Sequence, residues 1–225
     1  MEPTFPCVSG QDAQFKHPFT AIIAGATGAG KTTYLIKLIR QRRELITPAP
    51  ERIIYSYKRY QPSFDRMAAE GVEMVAGPNY VLDPEKNTLL VVDDQLFDIP
   101  SADLARLFTV ESHHKNCSVV FVTHNLFHQD PGYRTAVLNA HYYILFKSPR
   151  GTSQIANLGR QLYGGTRGKV AKMVAAYSDA TSQNFGYMLV DLHPRSSEMT
   201  RFRTDVLRGE GEAFMGTHLS KCYRV

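Results

Sequence analysis

The chain has 225 residues, 43% hydrophobic and 21% charged, with a formal net charge of +5. That is the composition of a globular chain forming one large domain, long enough to bury a core without staples. It excludes helical membrane spans, because no apolar run nears the ~20 residues a span needs. No basic-then-apolar signal segment opens the chain, so an intracellular location without membrane contact is expected. Cys7, Cys117 and Cys222 show neither paired nor metal-ligand spacing and read as reduced thiols.

Residues 1–18 hold Pro3, Pro6 and Pro18 without periodicity and read as an irregular N-terminal arm. Phe19–Ala24 predicts a strand, and Lys31–Arg43 a helix with Leu35, Leu38 and Ile39 on one face. Thr47-Pro48-Ala49-Pro50 stops that helix. Arg52–Tyr57 predicts a second strand, Pro62–Glu70 a short helix and Val72–Val75 a further strand, followed by a turn at Gly77-Pro78-Asn79. Thr88–Asp94 contains four consecutive apolar residues, the mark of a strand buried on both faces of a parallel sheet. Ser101–Val110 reads as a helix, Ser118–Thr123 and Tyr142–Phe146 as strands, 152–163 and 168–180 as helices, and Tyr187–Leu192 as a late strand. From Pro194 the chain turns polar and basic, so the expected division is arm 1–18, domain 19–193 and basic tail 194–225. Strands alternating with helices predict an α/β fold with a mainly parallel sheet.

Charge is uneven. Residues 31–60 hold eight basic and two acidic residues, a net +6, and the remainder sums to −1. Such a segment suits either a nucleic-acid backbone or a solvated helix face.

Chemistry concentrates at Gly25-Ala26-Thr27-Gly28-Ala29-Gly30-Lys31-Thr32, a Gly-x-x-x-x-Gly-Lys-Thr loop between a strand and a helix. Glycines there allow tight bending and close approach of the backbone to a ligand. Converging N–H groups at a helix N-terminus bind phosphate oxygens. Lys31 would reach the β and γ phosphates as a point charge, Thr32 would offer its hydroxyl to Mg²⁺, and Thr33 closes the binding run. Asp93-Asp94 ends a buried strand, and strand carboxyl ends face the ligand crevice of such sheets. Asp93 would hold Mg²⁺ with Thr32. Asp94 would orient or deprotonate the attacking water. His124 and Asn125 end the next apolar strand and would sense the γ-phosphate or position water, or else form a strand-end turn of the kind Asn favours. Arg134 and Arg150 flank the Tyr142–Phe146 strand; each singly reads first as a solvated surface charge, and either could serve a neighbouring subunit as an arginine finger, Arg150 being favoured because it follows the strand directly. His113, His114 and His141 lack a fourth zinc ligand at the right spacing, so packing or capping is expected. Tyr55, Tyr57 and Tyr60 would stack on a base or serve strand and loop structure.

The guanine-reading Asn-Lys-x-Asp motif is absent, and Ser9-Gly10-Gln11 precedes the loop, the wrong side for a transporter signature. The paired acid is uncommon in small-molecule kinases. What remains is a P-loop NTPase three-layer sandwich with an additional catalytic strand, Ser118–Thr123, between the phosphate-loop and Walker-B strands. The chain resembles the viral genome-packaging ATPases of the FtsK–HerA superfamily, those of Maverick/Polinton-type elements, adintovirus-like viruses and their poxvirus and adenovirus-like relatives. Beyond the loop and Leu89–Asp94, the resemblance is carried by Ser112–Val119, Thr123–Gln129, Arg134–Tyr142, Phe146–Arg150 and Ser153-Gln154-Ile155. It implies a homo-oligomeric ring, a pentamer or hexamer, around double-stranded DNA. ATP would sit between subunits, and a capsid or portal partner in the host cell would receive the genome. Two positions depart from the family. His124 stands where relatives commonly carry Gln, which shifts the sensing role toward Asn125. Asp94 stands where many members carry Glu, which sets the base back by about one methylene. The rival readings are a nucleoside or small-molecule kinase and a non-hydrolytic nucleotide-dependent scaffold.

Overall fold

Apolar residues alternate between two faces along each central strand, and helices close a layer over each face. The computed structural model describes residues 5–8, 14–149, 151–207 and 219–225. In chain order the elements are β1 (Phe5–Val8), β2 (Phe15–Lys16), β3 (Thr20–Ala24), α1 (Lys31–Arg40), α2 (Arg42–Leu45), β4 (Ile46–Thr47), β5 (Arg52–Tyr57), α3 (Phe64–Ala69), β6 (Glu73–Ala76) and β7 (Thr88–Asp93). There follow α4 (Ser101–Arg106), a π turn (Leu107–Glu111), α5 (Ser112–His114), β8 (Cys117–Thr123), α6 (Pro131–Leu138), β9 (Tyr142–Phe146), α7 (Gly151–Tyr163), α8 (Arg167–Ala180), β10 (Tyr187–Asp191), β11 (Phe202–Thr204) and β12 (Leu219–Tyr223).

The main sheet runs β1-β12-β11-β10-β9-β3-β8-β7-β5-β6. From β9 to β6 neighbouring strands are parallel, and the central ones, β9, β3, β8 and β7, carry the two-sided apolar runs that such a sheet buries. Ala21 and Ile23 of β3 face one core with Tyr34, Leu35 and Leu38 of α1 and Phe64 of α3. Ile22 and Ala24 face the other, with Leu104 of α4, Tyr133 of α6, Ile155 of α7 and Met173 of α8. The result is a three-layer α/β fold of the P-loop type. The strand β8 lies between β3 and β7, so the additional strand stands where the sequence places it.

The chain ends differ from expectation. The arm contributes β1, paired antiparallel to β12, and β2, paired with β4. The tail contributes β11 and β12, which extend the sheet beyond β10 as an antiparallel wing. Pro6 is compatible with β1 because that strand forms a sheet edge. The predicted helix to Arg43 instead turns at Gln41 and resumes as α2. Cys222 is disulfide-bonded, which corrects its reading as a reduced thiol, whereas Cys117 is a buried free thiol. The Cys7 side chain lies outside the described part of the chain.

Candidate active site

Three parallel strands end level with one another. Ala24 of β3 pairs with Thr123 of β8, and Val122 of β8 with Asp93 of β7. The residues that follow therefore emerge at one rim. There a cavity of about 370 Å³ is lined by Thr27, Gly28, Lys31, Thr32, Asp93, Asp94 and His124, among others.

The loop is shaped by its glycines for two distinct reasons. Gly28 and Gly30 have φ of 76° and 108°, the left-handed region that suits glycine. Gly25 is needed for packing instead, because a Cβ there would lie 2.5 Å from the Cβ of Phe146. The amides of the first helical turn have no intrahelical acceptor, and α1 carries no acid in that turn to oppose an anion. The Lys31 ammonium donates to the carbonyls of Gly25 (2.7 Å) and Ala26 (3.0 Å) and lies 3.4 Å from His124 Nδ1. Burial lowers the Lys31 pKa, and the charges of Asp93 and Asp94 oppose that shift. Ala26 and Ala29 shape the loop through their backbones: Ala26 donates to Lys147 O and Ala29 donates to Ala26 O.

Asp93 is half-buried and accepts a 2.7 Å hydrogen bond from the Tyr55 hydroxyl. Burial raises its pKa, the Tyr55 bond lowers it, and the neighbouring Asp94 raises it again. Asp94 is exposed at φ 55°, a conformation that Asp tolerates better than most residues. Its Oδ1 stands 3.8 Å from His124 Nε2. His124 thus lies between the lysine that would meet the terminal phosphate and the acid that would meet water. The donor set fits Mg²⁺. That ion binds proteins through one or two carboxylates together with substrate phosphates rather than through an all-protein cage. Among the described residues no group of three or more His, Cys, Asp or Glu is placed to hold a metal ion. His141 instead packs against the rings of His113 and His193.

Other expected residues are placed elsewhere. Thr33 lines the cavity from α1. Asn125 is exposed and does not line the cavity; its carbonyl accepts from Thr123 Oγ1 and from the Tyr133 hydroxyl. Arg134 is exposed on α6 and lines a separate depression with Phe127 and Leu138. Arg150 lies outside the described residues. Tyr55 is fully buried and supports Asp93, so it does not face a base. Tyr57 and Tyr60 pack against Phe64.

The basic segment does not form one patch. Lys31, Lys58 and Arg59 line the cavity, Arg40 pairs with Glu70, and Arg52 pairs with Glu73. Lys58 also bonds Asp98. Lys58 and Arg59 thus leave the basic segment for the cavity, and Gln61, which carries no charge to mark it in the sequence, joins them there. The available signal was their position just past the carboxyl end of β5.

No family model matches the chain, and no curated protein matches it at a significant level. Among solved structures it is similar to a KaiC-like protein, PH0186, from the hyperthermophilic archaeon Pyrococcus horikoshii OT3. The two are 12% identical, with a TM-score of 0.48, over 99% of this chain and 100% of that one. So slight a likeness says nothing of function, which rests on the loop, the paired acids and the order of the strands.

Proposed function

We infer that the chain is a Mg²⁺-dependent ATPase that acts as a ring-shaped homo-oligomer to drive double-stranded viral DNA into a capsid. The observation that carries the ATPase reading is one rim where the phosphate loop and both carboxylates meet across an inserted strand. In this reading the amides at the start of α1 and the Lys31 ammonium bind the triphosphate. Thr32 and Asp93 would hold Mg²⁺, which would supply positive charge against the triphosphate. Asp94 takes the water's proton, and His124 reports the terminal phosphate between Lys31 and Asp94. Arg59 adds positive charge to the cavity in cis. Arg134 and Arg150 are the candidates for a finger supplied in trans.

Packaging, the ring, the portal partner and the host-cell location rest on the family resemblance. No helix among the described residues is long and apolar enough to cross a membrane. The disulfide at Cys222 removes cysteine usage as support for an intracellular site. A kinase is the rival reading, since an exposed acid such as Asp94 serves equally as base for a water or for an acceptor hydroxyl, and the reaction products separate the two.

The test is ATPase rate and assembly mass, each with and without long duplex DNA at two salt concentrations. Stimulation that weakens as salt rises is expected of a backbone grip. Phosphate transfer to a small acceptor, with indifference to DNA, would establish the kinase instead.

A further inference from the structure

A nucleotide needs room beyond its phosphates. The acids and His124 fix the terminal-phosphate end of the cavity. The α1 side of the loop, past Gly30, Thr33 and Lys37, offers the nucleoside a way out. A second cavity of about 530 Å³ opens there and shares Gly30, Thr33 and Phe185 with the first. That is ample for a base and ribose, since small-ligand sites run from roughly 300 to 1,000 Å³.

Phe185 stands at the junction. It is 64% exposed, so its ring gains little from burial. Its φ is 62°, an outlier for a bulky side chain. Strained residues of this kind cluster at ligand clamps. The turn is held from below: Gly186 N–H donates to Gln183 O at 3.1 Å, and a Cβ on Gly186 would collide with the Ala180 carbonyl. The Phe185 ring sits directly over the loop, with its Cδ1 3.0 Å from where a Cβ on Gly30 would stand. Gln183 and Asn184 border the same cavity, each with an amide that both donates and accepts. Tyr34, only 3% exposed, also lines it, and its hydroxyl has no hydrogen-bond partner among the described residues.

We propose that this cavity is the nucleobase site, and that Phe185 is the face on which a purine stacks. The proposal rests on the nucleotide reading above and extends it. A flat aromatic wall with amides at its border accepts a purine through stacking on one side and edge hydrogen bonds at the rim.

The test compares Mg²⁺-dependent binding of ATP and of inorganic tripolyphosphate to the full chain by calorimetry, for wild type, Phe185→Ala and Phe185→Trp. Phe185→Ala is expected to weaken ATP by about 10- to 100-fold and tripolyphosphate by no more than about twofold. Phe185→Trp is expected to bind ATP as the wild type does. Unchanged ATP affinity in Phe185→Ala overturns the base site while leaving the phosphate site intact. Equal weakening of both ligands overturns it too, because Phe185 would then act on the loop. A wild type that binds neither ligand brings down the nucleotide reading itself.

Discussion

Two strands of the sheet end in aspartate, and the two residues have opposite surroundings. Asp93 ends β7, parallel to β8, and emerges beside the phosphate loop. Asp191 ends β10, antiparallel to β9, and pairs with Tyr142 at the start of that strand. It therefore sits at the opposite rim, sealed at 1% exposure and joined to Arg203 at 2.9 Å. Burial raises the pKa of both carboxyls, and a nearby cation opposes it in both, Lys31 for Asp93 and Arg203 for Asp191. The difference is access. Asp93 faces a cavity, and Asp191 faces an arginine that fills its site. Strand direction thus decides which rim the Asp closing an apolar run reaches, and what meets it there, a cavity or an arginine, decides between ligand site and structural ion pair.

Substitution breaks the comparison most directly. Asp93→Asn is expected to cut ATP hydrolysis by about 10²–10³-fold or more, with Tm within about 4 °C of wild type. Asp191→Ala leaves Arg203 buried without its carboxylate. It is expected to cost about 3–5 kcal/mol, or about 6–20 °C in Tm, with turnover per folded molecule unchanged. Replacing both partners, as Asp191→Leu with Arg203→Met, is expected to restore most of that loss. Calorimetry alongside a phosphate-release assay reads all of these. Loss of turnover in Asp191→Ala at an unshifted Tm would mean that the two rims have been assigned the wrong way round.

The sequence made the Asp93 rim legible because its signals are local. An apolar strand, a glycine loop and a helix follow one another directly, and the runs ending at Asp93 and Thr123 are apolar on both faces. The wing was not legible, because its pairings are distant and its strands short. Phe5 pairs with Cys222, and β11 has three residues. Nor could spacing show that Tyr55, on a neighbouring strand, reaches Asp93, or that Lys58 and Arg59 leave the basic segment for the cavity while Arg40 and Arg52 find acids elsewhere. Phe185 gave no sequence signal: its role depends on a left-handed turn and on the loop it overhangs.

The sealed rim also predicts acid sensitivity. Burial, and then the charges of His141, Lys16, Arg195 and His113, bring His193 down from 6.5 to about 4. Its Nδ1 already accepts the Arg195 N–H at 3.2 Å, a bond that protonation at Nδ1 would remove. The unfolded chain binds a proton near 6.5 and the folded one only near 4. Stability is therefore full above 6.5 and falls as pH drops through that window. His193→Phe keeps a ring against Tyr142 and removes the titration. Denaturant midpoints measured across the window should fall less steeply in that variant, by up to one proton's worth of slope. Parallel slopes would assign the acid loss to other groups, His141 and His17 first, since burial lowers both.

The smallest effect sharpens the open rim. Tyr55→Phe keeps a buried ring against Phe64, whose centroid is 5.0 Å away, and removes only the hydroxyl that donates to Asp93. A hydrogen bond to an ionised carboxylate lowers its pKa, so its loss raises the Asp93 pKa further above the usual carboxylate range. Protons then compete with Mg²⁺ for the Asp93 carboxylate at higher pH. The acid limb of the ATPase profile should move upward, and the Mg²⁺ needed for half-maximal rate should rise about tenfold. Turnover should recover at saturating Mg²⁺ and alkaline pH, because no group that touches ATP has been removed. If instead only Tm falls, by the roughly 1 kcal/mol of a lost hydrogen bond, with the Mg²⁺ requirement and acid limb unmoved, then Tyr55 merely packs the core and Asp93 is held by the strand alone.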